Sequence, residues 1–107
     1  MNKTKRQLSE PRQRFLELMG KMNFCQIKNL QVLGGDPILN PPPEILQGLK
    51  FGGDNAPRPE SNLSDFALKD QHHRLFEMFD SVGNGTIDVI QVRYGLPFRA
   101  DVSRIVT

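Results

Sequence analysis

Cysteine, tryptophan and long apolar runs are scarce or absent in this sequence of 107 residues. It contains no tryptophan and a single cysteine, Cys25, which excludes a disulfide within the chain and favours a reducing compartment. No stretch approaches the roughly 18 apolar residues of a membrane span, and the first 20 residues hold no apolar run typical of a signal peptide. We therefore expect a soluble, cytoplasmic protein that makes no contact with a membrane.

The chain is also poor in apolar residues for its length. They make up 37% of the sequence, below the ~45–50% of an average domain, although that average also counts glycine. A unit of about 35 residues is too small to bury its own apolar face without help. The length therefore predicts one domain, or two very small halves that depend on each other.

Positive charge is concentrated at the start of the chain. The net charge is +2, but residues 1–14 hold five basic side chains and one acidic one, and the remainder is net acidic. Such a tail can help contact nucleic acid, although a solvated terminus is the commoner explanation. If nucleic acid binds, the residues expected to contact it are those of the tail and of the second predicted hairpin: Lys3, Lys5, Arg6, Arg12, Arg93 and Arg99.

The clearest pattern is an internal repeat. Residues 14–38 align without a gap with residues 74–98, sixty positions later, and several of the remaining aligned positions exchange one apolar residue for another. Seven of the 25 aligned positions are identical: Arg14/Arg74, Glu17/Glu77, Ile27/Ile87, Gln31/Gln91, Val32/Val92, Gly35/Gly95 and Pro37/Pro97. This self-similarity predicts a duplicated structural unit.

Each copy has the pattern of a helix followed by a β-hairpin. We therefore predict an α+β fold of two αββ repeats, joined by a Pro/Gly-rich connector, with the hairpins in an antiparallel sheet. The predicted divisions are a disordered basic tail over 1–8, the first αββ unit over 9–40, the connector over 41–62 and the second unit over 63–107. The two units are expected to pack as one domain.

Capping residues place the helices and the turn. Ser9 is a good N-cap for a helix over residues 10–22, and Ser64 is expected to cap the second helix, which Gly83 would end. The Gly34–Gly35 pair predicts a two-residue hairpin turn with positive φ at both positions.

The first predicted strand of each hairpin has the same irregular spacing of apolar residues: the second lies three positions after the first, and the third lies two positions after the second. The positions are Ile27, Leu30 and Val32 in one copy and Ile87, Ile90 and Val92 in the other. A flat strand would not place all three on one face. Either a bulge lies near Lys28–Asn29 and Asp88–Val89, or both faces of the hairpin are covered.

The connector contains apolar side chains that are costly to expose. It holds Ile45, Leu46, Leu49 and Phe51, so we expect it to wrap around the domain rather than hang free. Residues 44–49 are expected to form a helical turn or a short strand.

One segment imitates a calcium-binding loop. Residues 80–91 place Asp80 first and Asp88 ninth, as an EF-hand does, but Val82 and Gln91 stand where oxygen ligands are required. A degenerate EF-hand is therefore only a remote alternative, and no metal site is predicted.

No arrangement of residues indicates catalysis or a cofactor. His72 and His73 are adjacent and cannot share a metal from one helix, so a solvated helix face with a His73–Glu77 contact is the simpler interpretation. Cys25 is expected to be a buried or half-buried thiol rather than a nucleophile. No Ser-His-Asp order or zinc-protease motif is present, so we predict that the protein is not an enzyme.

The second copy carries a motif of a short helix followed by G-x-I-x-x-[apolar]-x-V-x-x-G-x-P. The matching residues are Gly85, Ile87, Ile90, Val92, Gly95 and Pro97. This resembles a family of small uncharacterised bacterial helix-hairpin (αββ) proteins, in which one such unit makes up most of the chain. The first copy departs from the motif at Cys25, where the glycine would be. The resemblance implies the fold and lends no catalytic residue.

Together these observations predict a small non-catalytic interaction or assembly module, with a protein partner or a second copy of itself. The alternative is a nucleic-acid-associated protein that uses the basic tail and the hairpin arginines.

Overall fold

The fold is α+β, as predicted, with one antiparallel sheet. The computed structural model describes residues 4–49, 51–52 and 67–103. Within them, the elements in chain order are a 3₁₀ turn Lys5–Gln7, α1 Glu10–Met22, β1 Cys25–Leu33, β2 Asp36–Pro37, β3 Glu44–Gln47, α2 Asp70–Val82, β4 Gly85–Arg93 and β5 Leu96–Asp101. No helix in these ranges is long and apolar enough to cross a membrane.

Helix α1 has the predicted bounds. The Ser9 hydroxyl accepts a hydrogen bond from the amide of Arg12 at 3.4 Å, and Pro11 lies in the first turn, where a missing N–H costs nothing. The helix ends at Asn23, which adopts a left-handed φ of 64°.

Helix α2 begins later than predicted. Ser64 lies outside the described residues, but residues 67–69 are not helical, so the prediction of a helix starting at Ser64 is wrong. Instead, the Lys69 amide donates to Nδ1 of His72 at 3.1 Å, and this side chain satisfies a backbone donor at the new start. Gly83 ends the helix at φ 68°, as predicted.

The sheet joins two hairpins through their long strands. Its order is β2–β1–β4–β5, and β3 lies beside β1 on the same edge as β2. The β1–β4 pairing runs from Cys25↔Val92 to Val32↔Gly85. Within the described residues β1 and β4 lie at the centre of the sheet, and β2, β3 and β5 each pair with one of these two.

Both hairpin turns use left-handed backbone at two successive residues. Gly34 and Gly35 have φ of 60° and 79°, which confirms the predicted positive φ at both positions. In the second turn Tyr94 and Gly95 have φ of 55° and 73°. This geometry matches the twist of the flanking strands.

A local distortion explains the irregular apolar spacing. Ile27 and Leu30 are both fully buried, although they are three residues apart, and Asn29 between them has φ 56°. The pairing stops at Lys28↔Val89 and resumes in the same register at Leu30↔Ile87. The alternation of inward-facing and outward-facing side chains therefore shifts by one residue in both strands near Asn29. As a result, the buried side chains of both strands lie on the same face of the sheet.

The core lies between this face and the two helices. Its fully buried side chains come from both helices and both central strands: Phe15, Met19, Ile27, Leu30, Phe79, Ile87 and Ile90. The rings of Phe15 and Phe79 meet edge to face, with centroids 5.6 Å apart. Both helices therefore pack into one shared core.

The predicted connector contains a strand of the sheet. Strand β3 pairs with β1, and its Ile45 is half-buried against the core. The expectation that the other apolar residues would be covered is wrong, because Leu46, Leu49 and Phe51 are 55%, 62% and 102% exposed. Successive side chains of a strand point to opposite faces, so only Ile45 turns inward. Residues 53–66 lie outside the described part of the chain.

Candidate functional site

Two of the described basic residues that were predicted to contact nucleic acid, Lys5 and Arg12, form ion pairs within the chain. Lys3 lies outside the described residues. Lys5 is buried, and its Nζ is 2.7 Å from Oε1 of Glu17. The Arg6 side chain is exposed at the same end of the chain. The tail thus carries less free positive charge than the sequence suggests.

Arg12 is the centre of a polar junction between the two hairpins. Its Nη2 donates to the Gly35 carbonyl at 2.8 Å and to Oδ1 of Asp80 at 2.6 Å, and its guanidinium lies 5.0 Å from the ring centroid of Phe76. Asp36 is a further carboxylate neighbour at 3.4 Å. Only 16% of the Arg12 side chain is exposed, so this cation holds the first turn against helix α2.

Backbone contacts reinforce the junction. The Gly35 amide donates to the Gly83 carbonyl at 2.9 Å, and the Gly34 amide donates to Oδ1 of Asn84 at 2.8 Å. At the opposite end of the sheet, the Gly95 amide donates to the Asn23 carbonyl at 2.9 Å. Each hairpin turn is therefore bound to the residue at the end of the other hairpin's helix.

The second hairpin carries exposed aromatic and basic side chains close together. The Arg93 guanidinium lies 4.1 Å from the ring centroid of Phe98, and Arg99 pairs with Asp101 at 3.1 Å. Phe98 is 59% exposed and Tyr94 66% exposed. We call these four side chains, Arg93, Tyr94, Phe98 and Arg99, the hairpin surface. The sequence predicted the two arginines in this hairpin, but Phe98 was not among the predicted site residues. The one sequence feature that pointed to Phe98 is that the repeat aligns it with another apolar residue, Ile38.

A groove runs beside this surface, between helix α2 and strand β5. Its volume is about 640 Å³, with Leu75 and Met78 from the helix and Pro97 and Ala100 from the strand. Arg74 lies on its helical side and pairs with Asp70 at 2.8 Å. The groove is open, and the polar residues Asp70, Gln71 and Arg99 line it together with the apolar ones.

The calcium-loop hypothesis gains no support from the geometry. Of residues 80–91, the first three end helix α2, and residues 85–91 belong to strand β4. Asp80 is bound to Arg12. Nowhere in residues 4–49, 51–52 and 67–103 do three or more His, Cys, Asp or Glu side chains cluster as a metal site would require.

The remaining candidate side chains serve the fold. His72 is only 3% exposed, so the predicted solvated helix face is wrong at this position. Cys25 is buried as predicted, and desolvation raises the pKa of its thiol to about 11. A thiol with so little thiolate at neutral pH is a poor nucleophile.

Comparisons with known proteins do not narrow the function. No family model, no curated protein and no solved structure matches the chain. The resemblance to helix-hairpin proteins therefore stays a prediction.

Proposed function

We propose that the chain is a duplicated αββ protein, related to the small bacterial helix-hairpin proteins, and that it acts as a non-catalytic assembly module which binds a second copy of itself. The hairpin surface beside the outer edge of β5 carries this proposal. In the described sheet β5 is the last strand on its side.

The element bounds support the duplication. The two helices, Glu10–Met22 and Asp70–Val82, begin and end sixty residues apart, and so do β1 and β4. The β1–β4 register is unchanged when the two copies are exchanged, since Cys25↔Val92 becomes Gly85↔Val32. Such pairing is what a pseudo-twofold axis between two αββ units would produce. We call residues 9–49 the first unit and residues 67–103 the second unit.

The chemistry of the hairpin surface supports a protein partner. Aromatic residues and arginine are enriched in the cores of protein interfaces. Phe98 stacks under Arg93 at the surface, so its ring is presented in a defined orientation. An outermost strand next to such residues can also pair with a strand of another molecule.

A second copy is the simplest partner because the unit already pairs with its own kind. The interface between the two units includes one central strand from each, paired in a self-complementary antiparallel register. Two-fold symmetry is the commonest arrangement of soluble oligomers, and it brings the same surface of both copies together.

Nucleic-acid binding has weaker support. Lys5 and Arg12 form ion pairs with acidic side chains of the same chain. Of the other predicted residues, Arg93 and Arg99 lie on the hairpin surface. Phosphate contact requires a concentrated positive surface.

Light scattering coupled to size exclusion tests the proposal. At micromolar concentration we expect a mass of about twice the 12.2 kDa of one chain, and Phe98→Ala should yield monomers. Phe51→Ala is the control, because this ring is also exposed but lies outside the hairpin surface, and it should leave the dimer intact. A monomeric wild-type protein would rule out self-assembly. Retardation of DNA or RNA that weakens with salt would then favour the alternative.

A further inference from the structure

Helix α2 presents an exposed pair of opposite charges at its groove. Nε of Arg74 lies 2.8 Å from Oδ2 of Asp70, and the two side chains are 78% and 73% exposed. Both residues line the groove between α2 and β5, and so do Phe98 and Arg99, whose guanidinium is neutralised by Asp101 at 3.1 Å. An ion pair this exposed contributes little to the stability of a fold. Its two charges can therefore pair with a partner at little cost to the fold.

The order of these two charges suits one arrangement of two identical helices. The acid precedes the arginine by four residues, so both lie on the same side of α2. When two copies of the helix lie antiparallel about a twofold axis that passes between the charges, Asp70 of one copy faces Arg74 of the other, and the reverse. A parallel arrangement would place like charges together instead. The charge pair is therefore complementary to itself in the antiparallel arrangement.

The same groove supplies the apolar part of an interface. Leu75 and Met78 line it from the helix and Pro97 from the strand, and the Phe98 ring beside them is 59% exposed. The guanidinium of Arg93 lies 4.1 Å from the centroid of this ring. Aromatic rings and arginines are enriched in the cores of protein interfaces. Because Phe98 lines the groove, the axis that pairs the charges also brings the two Phe98 rings into one interface.

The first unit has an equivalent groove without the exposed ring. Its helix carries an acid and an arginine sixty positions earlier, Glu10 and Arg14, which also form an exposed ion pair. Both line a groove of about 590 Å³. The residue equivalent to Phe98 is Ile38, which is only partly exposed. The first unit therefore has the charge pair but lacks the aromatic anchor, which makes it an internal control for the second.

We propose that a second copy of this chain docks on the groove between α2 and β5 in a twofold arrangement. Asp70 of each copy pairs with Arg74 of the other, and both Phe98 rings are buried between the copies. The inference rests on the proposed self-assembly and specifies its interface. The two ion pairs of the separate copies become a network of four charges, which fixes the orientation of the copies more firmly than an isolated exposed pair does.

Mixing two charge variants tests this arrangement. Asp70→Arg leaves two positive charges at the pair and Arg74→Asp leaves two negative ones, so each variant alone brings like charges together across the axis. Each should raise the dissociation constant of the dimer by about tenfold or more. An equimolar mixture restores opposite charges and should form heterodimers with an affinity close to that of the wild-type dimer. Native mass spectrometry distinguishes the heterodimer from both homodimers because the variants differ in mass.

The equivalent pair of the first unit provides the matched control. Glu10→Arg and Arg14→Asp make the same charge changes on α1, and they should leave the dimer unchanged. Because all four side chains are more than half exposed, every variant should keep the wild-type circular dichroism spectrum.

Three results would overturn this interface while leaving self-assembly intact. They are a dimer that resists both α2 variants, α2 variants whose mixture stays monomeric, and disruption of the dimer by the α1 variants. A monomeric wild-type protein would instead refute self-assembly itself, and this interface with it.

Discussion

Replacing Gly35 by alanine tests the junction around Arg12, and Gly34→Ala is its control. Both glycines have positive φ, 79° and 60°, so a side chain at either position carries the same backbone strain, about 1–2 kcal/mol. Part of this cost is offset because alanine also restricts the unfolded chain, by about 0.4–1 kcal/mol. We expect Gly34→Ala to destabilise the protein by about 1 kcal/mol.

The two sites differ in the space around them. A Cβ at position 35 would lie 2.7 Å from Oδ1 of Asp80 and 3.3 Å from Nη2 of Arg12, whereas a Cβ at position 34 meets nothing within 4 Å. The Asp80 side chain is 67% exposed and can move away. The displacement costs the exposed ion pair, about 0.2–1 kcal/mol, and weakens the charged hydrogen bond from Arg12 to the Gly35 carbonyl.

We therefore expect Gly35→Ala to cost about 2–3 kcal/mol in total, about 1–2 more than Gly34→Ala. Urea unfolding followed by circular dichroism measures both free energies, with an unchanged m-value as the condition for comparing them. When Asp80 is also replaced by alanine, the additional loss of unfolding free energy that Gly35→Ala causes over Gly34→Ala should become smaller. Equal costs for the two glycines in the wild-type background would refute the close packing of the first turn against helix α2.

Two further predictions concern the core. Phe79→Ala should lower the free energy of unfolding by about 3–5 kcal/mol because the ring is fully buried, and Phe51→Ala, at an exposed ring, should change it by less than about 0.5 kcal/mol. Urea titrations measure both values, and similar values for the two variants would contradict the assigned core. Cys25 should react with a thiol reagent near neutral pH about a hundredfold more slowly in the folded than in the unfolded protein, because its pKa rises from 9.0 to about 11. Since the folded state holds this proton more tightly, the thiol's contribution to stability is complete below about pH 9 and is lost as the pH rises towards about 11, which a Cys25→Ala comparison would detect.

Local patterns in the sequence were sufficient for the elements that depend on neighbouring residues. Ser9 and the apolar stripe after it predicted α1, Gly83 predicted the end of α2, and the glycine pair predicted the first turn. Helix periodicity, capping and turn conformation are properties of short segments, so they can be read without knowledge of the rest of the chain.

The start of α2 could not be predicted in the same way. Ser64 was the better capping residue by type, but the helix begins at Asp70, where the side chain of His72 caps the Lys69 amide and is itself buried. Burial of that imidazole depends on what packs against it, and a capping preference of about 1 kcal/mol is easily overridden by packing.

The candidate sites depended most on tertiary structure. By itself the sequence determined the α+β class, the two helix-hairpin patterns and the uneven distribution of charge. Only the fold decided that Lys5 and Arg12 would bind acidic side chains elsewhere in the chain, and that Phe98 would stay at the surface beside Arg93. Whether a charged side chain is free or paired depends on residues that are distant in sequence. Arg12 and Asp80 are 68 positions apart, so a pattern of neighbouring residues cannot predict that they pair.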